Sequence, residues 1–503
     1  MRSGDRRFDA KVRRRVQALA AEEFPRRIWQ KDHTLWSDDP TEITDRLGWL
    51  TVHHAVDLDE LQIFARDCAS DGLTTAVLCG MGGSSLAPEV FRDSFGVADG
   101  ALEIIVLDST HPDQILAVQH SLDLDRTLFV IASKSGTTTE TLSHFEHFWS
   151  LTEEGARFVA ITDPGTPLED LAKDRGFRRT WQNQPDIGGR YSALSYFGMV
   201  NAALIGADLA GLVRDASSME ARCAAGADPT THPGLALGAA LGEAHNEGRD
   251  KLTLVLPEPL RSFGYWVEQL IAESTGKEGK GILPVEGEDL GDPGVYGDDR
   301  LFVSYVDPGV TAALEEAGHP VVHVDGEGLG AEMYRWEFAT AVAGAVLGIQ
   351  PFNQPDVQSA KDATKRILES GDIPDPEPGD PAELLASARP GEYLAIQAYV
   401  HRDDDSKRRL HDVRMRLRDR LRVATTVGFG PRFLHSTGQL HKGGPNTGLF
   451  LQVVDEPKED VEIPGKPYTF GTLIRAQAAG DLMALRDRDR RVVRVTRRQL
   501  ESA

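Results

Sequence analysis

Apolar runs of five or six residues recur through the first two thirds of the chain, separated by longer stretches with helical spacing. Thr75–Cys79 (TAVLC), Glu103–Leu107 (EIIVL), Thr127–Ala132 (TLFVIA) and Arg157–Ile161 (RFVAI) read as strands. A second set follows at Lys251–Leu256, Leu301–Val306 and Pro320–Val324. Strands alternating with helices make parallel crossovers, and a parallel sheet is covered on both faces. An Ala-rich helical stretch over about 208–233 separates the sets. The pattern predicts an α/β protein with two doubly wound domains and a C-terminal α/β extension.

Boundaries follow from shifts in the pattern. Residues 1–44 read as an N-terminal helical segment, 45–215 as the first domain and 216–370 as the second. Gly371–Glu383 (GDIPDPEPGDPAE) holds four prolines among acidic residues, which argues against a helix or central strand. Residues 371–385 are therefore read as a linker, and 386–503 as an extension packing on the second domain. In that extension one strand (GEYLAIQAYV), a strongly charged helix around 405–422 and a Gly-rich segment are expected.

Composition narrows the chemistry. A chain of 503 residues with 40% hydrophobic and 26% charged content is globular and of two or three domains. No window approaches eighteen consecutive apolar residues, so no membrane span is expected. The basic N-terminus (MRSGDRRFDAKVRRR) lacks the apolar stretch of a secretory signal and reads as an amphipathic surface helix. Cys68, Cys79 and Cys223 form neither a disulfide framework nor a zinc motif, which points to a reducing, cytoplasmic setting. A net charge of −23 disfavours nucleic acid and anionic membranes as partners. An anionic small molecule then needs a locally positive pocket in an acidic shell.

Ligands of parallel sheets collect at the carboxyl ends of strands, and two such turns stand out. Gly80-Met-Gly82-Gly83-Ser84-Ser85 follows the first strand, with Ser85 placed to cap the next helix and Pro88 in its first turn. As a dinucleotide fingerprint it fails at the third glycine, although Asp108 would imitate a ribose-binding acid. Ser133-Lys134-Ser135-Gly136-Thr137-Thr138-Thr139-Glu140 follows the third strand. Thr137 and Glu140 there have capping-box spacing, so a helix N-terminus with hydroxyls and one lysine faces any anion above the sheet. Ser262–Ser274 reads as an amphipathic helix ended by Gly276, with Gln269 and Glu273 four apart on one face. Glu273 has the position of a general base, and Arg190 on the Gly188-Gly189 turn offers guanidinium donors to a developing anion.

GMGGSSLAP, SKSGTTTET, GGRYS, QLIAESTGK and PFNQPDVQSAK, in this order, resemble the phosphoglucose isomerase family across about residues 75–361. WQKDHTLW, TEITDRLGWL and the final third look most like the isomerase half of transaldolase–isomerase fusions, so the chain reads as a free-standing relative or one half of a fusion. The resemblance implies two flavodoxin-like sugar-isomerase domains, a homodimer, a phosphosugar substrate, and no metal or other cofactor. It implies that Gly83, Ser84, Ser133, Lys134, Ser135 and Thr138 hold the substrate and that Gln269 and Gln354 line the site. Glu273 would move the proton between C1 and C2, Arg190 would stabilise the enediolate, and Lys361 would act at the ring oxygen. The family's ring-opening histidine is missing from its usual interval, where only His319 and His323 occur. His441, with His435 as the alternative, is expected to fill that role. The implied activity is interconversion of glucose 6-phosphate and fructose 6-phosphate; a non-catalytic sugar-phosphate-binding regulator and a nicotinamide oxidoreductase are the rival readings.

Overall fold

A computed structural model describes residues 4–503 as an assembly of three parallel sheets. The first sheet has the order β2-β1-β3-β4-β5, from Thr75–Gly80 (β1), Glu103–Leu107 (β2), Thr127–Ala132 (β3), Phe158–Thr162 (β4) and Arg179–Gln182 (β5). The second has the order β7-β6-β8-β9, from Lys251–Val255 (β6), Leu283–Val285 (β7), Arg300–Ser304 (β8) and Val321–His323 (β9). The expected strands are present, and two short ones join them: β5 (RTWQ) at the edge of its sheet and the three-residue β7.

The extension is richer than the single strand expected there. Tyr393–Tyr399 (β10), Ala424–Phe429 (β11), Gly448–Val454 (β12) and Arg491–Val495 (β13) form a third parallel sheet of order β11-β10-β12-β13. Its apolar runs belong to a doubly wound unit, with its own core of Leu394, Ile396, Leu410, Leu417, Leu449 and Leu451. The helix Pro381–Ala386 lies in the segment read as linker, because Pro381 stands at its start, where a missing N–H is harmless.

Three helices position the site. Phe263–Thr275 follows β6 and ends at Gly276. It is buried nearly all round rather than amphipathic, since the third sheet's helix Gly438–Gly443 covers the side that a two-sheet protein would leave to water. Thr139–Thr152 follows β3. Gln358–Ser370, the third, packs tightly on Phe470–Arg486 of the third unit, where a Cβ on Gly480 would lie 2.5 Å from Thr364 Oγ1. No helix among the described residues is long and apolar enough to cross a membrane.

Candidate active site

Glu273 lies in the last turn of Phe263–Thr275, and Gln269 one turn earlier donates from Nε2 to Glu273 Oε2 at 3.0 Å. The same Nε2 donates to the backbone carbonyl of His435 at 2.8 Å. The turn after β1 closes against this pair: a Cβ on Gly82 would stand 2.8 Å from the His435 carbonyl oxygen and 2.9 Å from Gln269 Nε2. Gly83 lies against the Gly189 carbonyl, which a Cβ would meet at 2.0 Å. Ser84 is buried beside it. The two glycine turns thus serve close approach between segments.

Arg190 is buried, and its hydrogen bonds fix its direction. Nε donates to Ser274 Oγ at 2.7 Å, Nη1 to Gln354 Oε1 at 2.9 Å, and Nη2 to the Pro351 and Asn353 carbonyls at 2.7 and 3.0 Å. A guanidinium has five N–H donors. Four are spent, and the remaining one is on Nη1, which lies 3.5 Å from Glu273 Oε1. Lys277 braces this frame from beneath, donating to the Asn353 carbonyl and Oδ1 at 2.6 and 2.9 Å. Burial, and then the neighbouring Arg190 charge, hold its ammonium pKa well below the usual lysine range.

The hydroxyl-rich turn after β3 lines a cavity of about 660 Å³ with Ser135, Thr137 and Thr138, opposite His435 and Lys361. Ser133 Oγ and Thr138 Oγ1 share a 2.8 Å hydrogen bond, as do Ser135 Oγ and Thr137 Oγ1 at 2.9 Å. The expected capping box is absent. Thr138 is the N-cap and makes no side-chain bond to the helix. Glu140 instead points across the cavity, accepting from Gln477 Nε2 at 2.7 Å and pairing with His435 Nε2 at 3.1 Å. Burial opposes its ionisation, but the charge and hydrogen bond of His435 outweigh burial and hold its pKa at about 2.

Not every expected residue is gathered. The Lys134 ammonium is committed to Asp163 and to the Pro185 carbonyl instead of the cavity. Lys361 is exposed on its helix and faces the cavity beside Glu140. The expectation for His441 is corrected: its ring is buried against Phe450, Phe433 and Tyr393, at 5.1, 6.0 and 6.2 Å between centroids. Burial, and then the Lys442 and Arg490 cations, press its pKa well below the usual histidine range. His435, six residues earlier, is the histidine at the cavity. His319 and His323 bond locally to Pro293 and Glu315.

Two further expectations are changed. Ser85 occupies an N-cap but bonds Asp108 Oδ2 at 3.2 Å and the Gly82 carbonyl, not the helix. Asp108 is taken by Arg432 at 2.7 Å, which removes it as a ribose acceptor. His53 and His54 both direct Nε2 to Glu220 Oε2, His53 at 2.9 Å, three groups close enough together to hold a metal ion. Sequence reasoning takes Glu140 only as a cap, gives Lys277 no role although it closes QLIAESTGK, and has no motif for Gln477 in its Ala-rich helix.

The phosphoglucose isomerase family model matches residues 66–282. A glucose-6-phosphate isomerase of Rubrobacter xylanophilus is 29% identical over 364 residues, 59% of this chain and 82% of the relative. A probable glucose-6-phosphate isomerase of Haloarcula marismortui is 28% identical, over 58% of this chain and 78% of the relative. Among solved structures, a hypothetical protein of Thermus thermophilus superimposes with TM-score 0.63 at 24% identity, covering 72% of this chain and 99% of that one. A glucose-6-phosphate isomerase of Chlamydia trachomatis superimposes with TM-score 0.59 at 19% identity, covering 71% and 86%. With the ordered motifs, these matches set the likeness: residues 66–282 match the phosphoglucose isomerase family, and the chain is similar to glucose-6-phosphate isomerases over 58–59% of its length.

Proposed function

We propose that the chain is an aldose–ketose isomerase that interconverts glucose 6-phosphate and fructose 6-phosphate. The observation that carries this reading is one continuous path of contacts. Glu273 bonds Gln269, Gln269 bonds the His435 backbone, and the His435 ring bonds Glu140 at the hydroxyl-rich helix start. A base for carbon chemistry and an anion-shaped helix N-terminus are thus joined by three hydrogen bonds through Gln269 and His435, a linkage that suits an acyclic phosphosugar.

In this reading the phosphate rests on Ser135, Thr137, Thr138 and the helix start behind them. His435, oriented by Glu140 through Nε2, keeps Nδ1 for the sugar. As the C1–O bond to the ring opens, Nδ1 gives its proton to the ring oxygen and the C1 hydroxyl passes its proton to solvent, with Lys361 beside the ring. Glu273 then removes the C2 proton, giving an enediolate; the O2 hydroxyl proton passes to O1, and Glu273 returns its proton to C1 as the C2 carbonyl forms. The unspent Nη1 donor of Arg190 meets the negative oxygen, already aimed by Gln354 and two carbonyls. A non-catalytic phosphosugar sensor has no need of so fixed an arginine beside a carboxylate.

All these groups come from one chain. Cytoplasmic location and a dimer fit the reading as proposals. The direct test is a coupled assay with fructose 6-phosphate in chelator. Glu273→Gln is expected to lose at least about 10²-fold in turnover with native-like folding, the scale of a positioned base. Nearly full turnover in that variant would remove Glu273 from the mechanism.

A further inference from the structure

The charged helix Asp404–Leu421 has no part in the isomerase site, yet one face of it runs from the exposed Lys407 and Arg408 to the buried Arg414. Lys407, Arg408, His411 and Arg414, at spacings of one to four residues, line a cleft of about 390 Å³ between the second and third units. Arg261, Glu268 and Glu286 close it from the second unit, and Arg402, Arg432 and Ser436 from the third. Much of this charge is already matched. Arg402 and Arg432 both bond Glu89, and Arg261 bonds Glu258 and Asp289.

Arg414 differs. Its side chain is buried, with the residue 3% exposed, and its Nε donates to the Thr425 carbonyl at 2.9 Å. Its Nη2 is buried with no hydrogen-bond partner. A buried guanidinium donor left unpaired costs free energy unless something else accepts from it. The neighbouring carboxyls do not supply that acceptor: Glu268 contacts Ser436 Oγ at 3.5 Å. Burial, and then the proximity of Glu286, push the Glu268 carboxyl up to about 8, so it is largely neutral at pH 7. A neutral carboxyl both donates to and accepts from hydroxyl groups.

We propose that this cleft is a second small-molecule site, which takes a phosphorylated polyol. Arg414 and the Lys407–Arg408 edge would hold the phosphate, and the Glu268–Glu286 pair the hydroxyls. Its volume suits a ligand of monosaccharide size. Most of its cations lie outside residues 66–282, so the cleft exists only because the third sheet is present. Glu268 and Ser436 are the chain neighbours of Gln269 and His435, which sets an occupant one residue from each.

The test is calorimetric titration of the full chain with sorbitol 6-phosphate, an open-chain polyol that cannot isomerise, with inorganic phosphate in a second arm. Two classes of site are expected in the unaltered protein. Arg414→Met should weaken one class at least about tenfold, the scale of a lost charge-assisted hydrogen bond, with kcat and KM unchanged. Arg408→Ser, at an exposed position, should weaken the same class about threefold without touching the fold. Phosphate alone should bind the cleft more weakly than the polyol phosphate; equal affinity would overturn the role given to Glu268 and Glu286. Binding that Arg414→Met and Arg408→Ser both leave untouched would overturn the site. A single class abolished by Arg414→Met would keep the cleft and sink the phosphate anchor of the proposed isomerase site instead.

Discussion

The turn after β3 in the first sheet and the turn after β11 in the third face the same cavity but are built on opposite principles. The first, Ser133–Thr138, offers many weak donors: hydroxyls bonded to each other and a helix start without a side-chain cap. The second offers one group, the His435 imidazole, whose direction is set from outside by Glu140 and whose backbone is fixed by Gln269. Distributed donors tolerate the loss of one member, because the rest still hold an anion. A single oriented ring does not. Binding should therefore follow the first turn and turnover the third-sheet turn.

The largest expected effect isolates the imidazole. His435→Ala should lower turnover on ring-closed fructose 6-phosphate by about 10²–10⁴-fold, as for loss of a general acid–base group. His441→Leu should leave turnover unchanged and cost about 1–2 kcal/mol of stability, since Gln397 Nε2 loses its 3.4 Å contact with Nδ1 while Nε2 has no partner to lose. The reverse pattern in a steady-state assay would exchange the two histidines and break the comparison. Next, Arg190→Lys retains charge but cannot reproduce the fork, so kcat should fall about 10²-fold with KM little altered. A change confined to KM would make Arg190 a binding group. Smaller still, Thr138→Val should raise KM roughly fivefold, the worth of one neutral hydrogen bond, and spare kcat.

The last prediction concerns acid. The Glu140 pKa is lowered from 4.5 to about 2, so its stabilising contribution is complete above pH 4.5 and is lost as pH falls through about 2. Glu140→Gln lacks this contribution throughout. The melting-temperature gap between the unaltered protein and this variant should thus narrow between those pH values. A gap that stays constant would mean that the His435–Glu140 pair does not form.

Much of the arrangement is legible in the sequence because it rests on local pattern. The strands β1 to β4, β6 and β8 are apolar runs bounded by turn residues, and Gln269 with Glu273 is a one-turn spacing that any helix satisfies. Other features are hidden because they depend on distant partners. Thr137 and Glu140 have the spacing of a capping box, but the pull of His435 and Gln477 on the carboxylate wins over the local bond. His441 and His435 lie in the same Gly-rich stretch, and only the packing of Phe450 and Tyr393 on one of them tells them apart. The third sheet reads as one strand because ATTVGF is interrupted by threonine and glycine and GLFLQVV by Gln452. Only their pairing with β10 reveals the register.

Gly480 admits Thr364 so closely that the helix carrying Lys361 is keyed into the unit that carries His435. Lysine and imidazole are thereby mounted on a single jaw, with Glu273, Arg190 and the serine–threonine turn on the anvil opposite. Any shift of that jaw alters both groups at once. A graft or insertion near Gly480 that loosens the key should consequently disturb opening of the sugar ring while the carbon-to-carbon proton shuttle on an already open substrate continues.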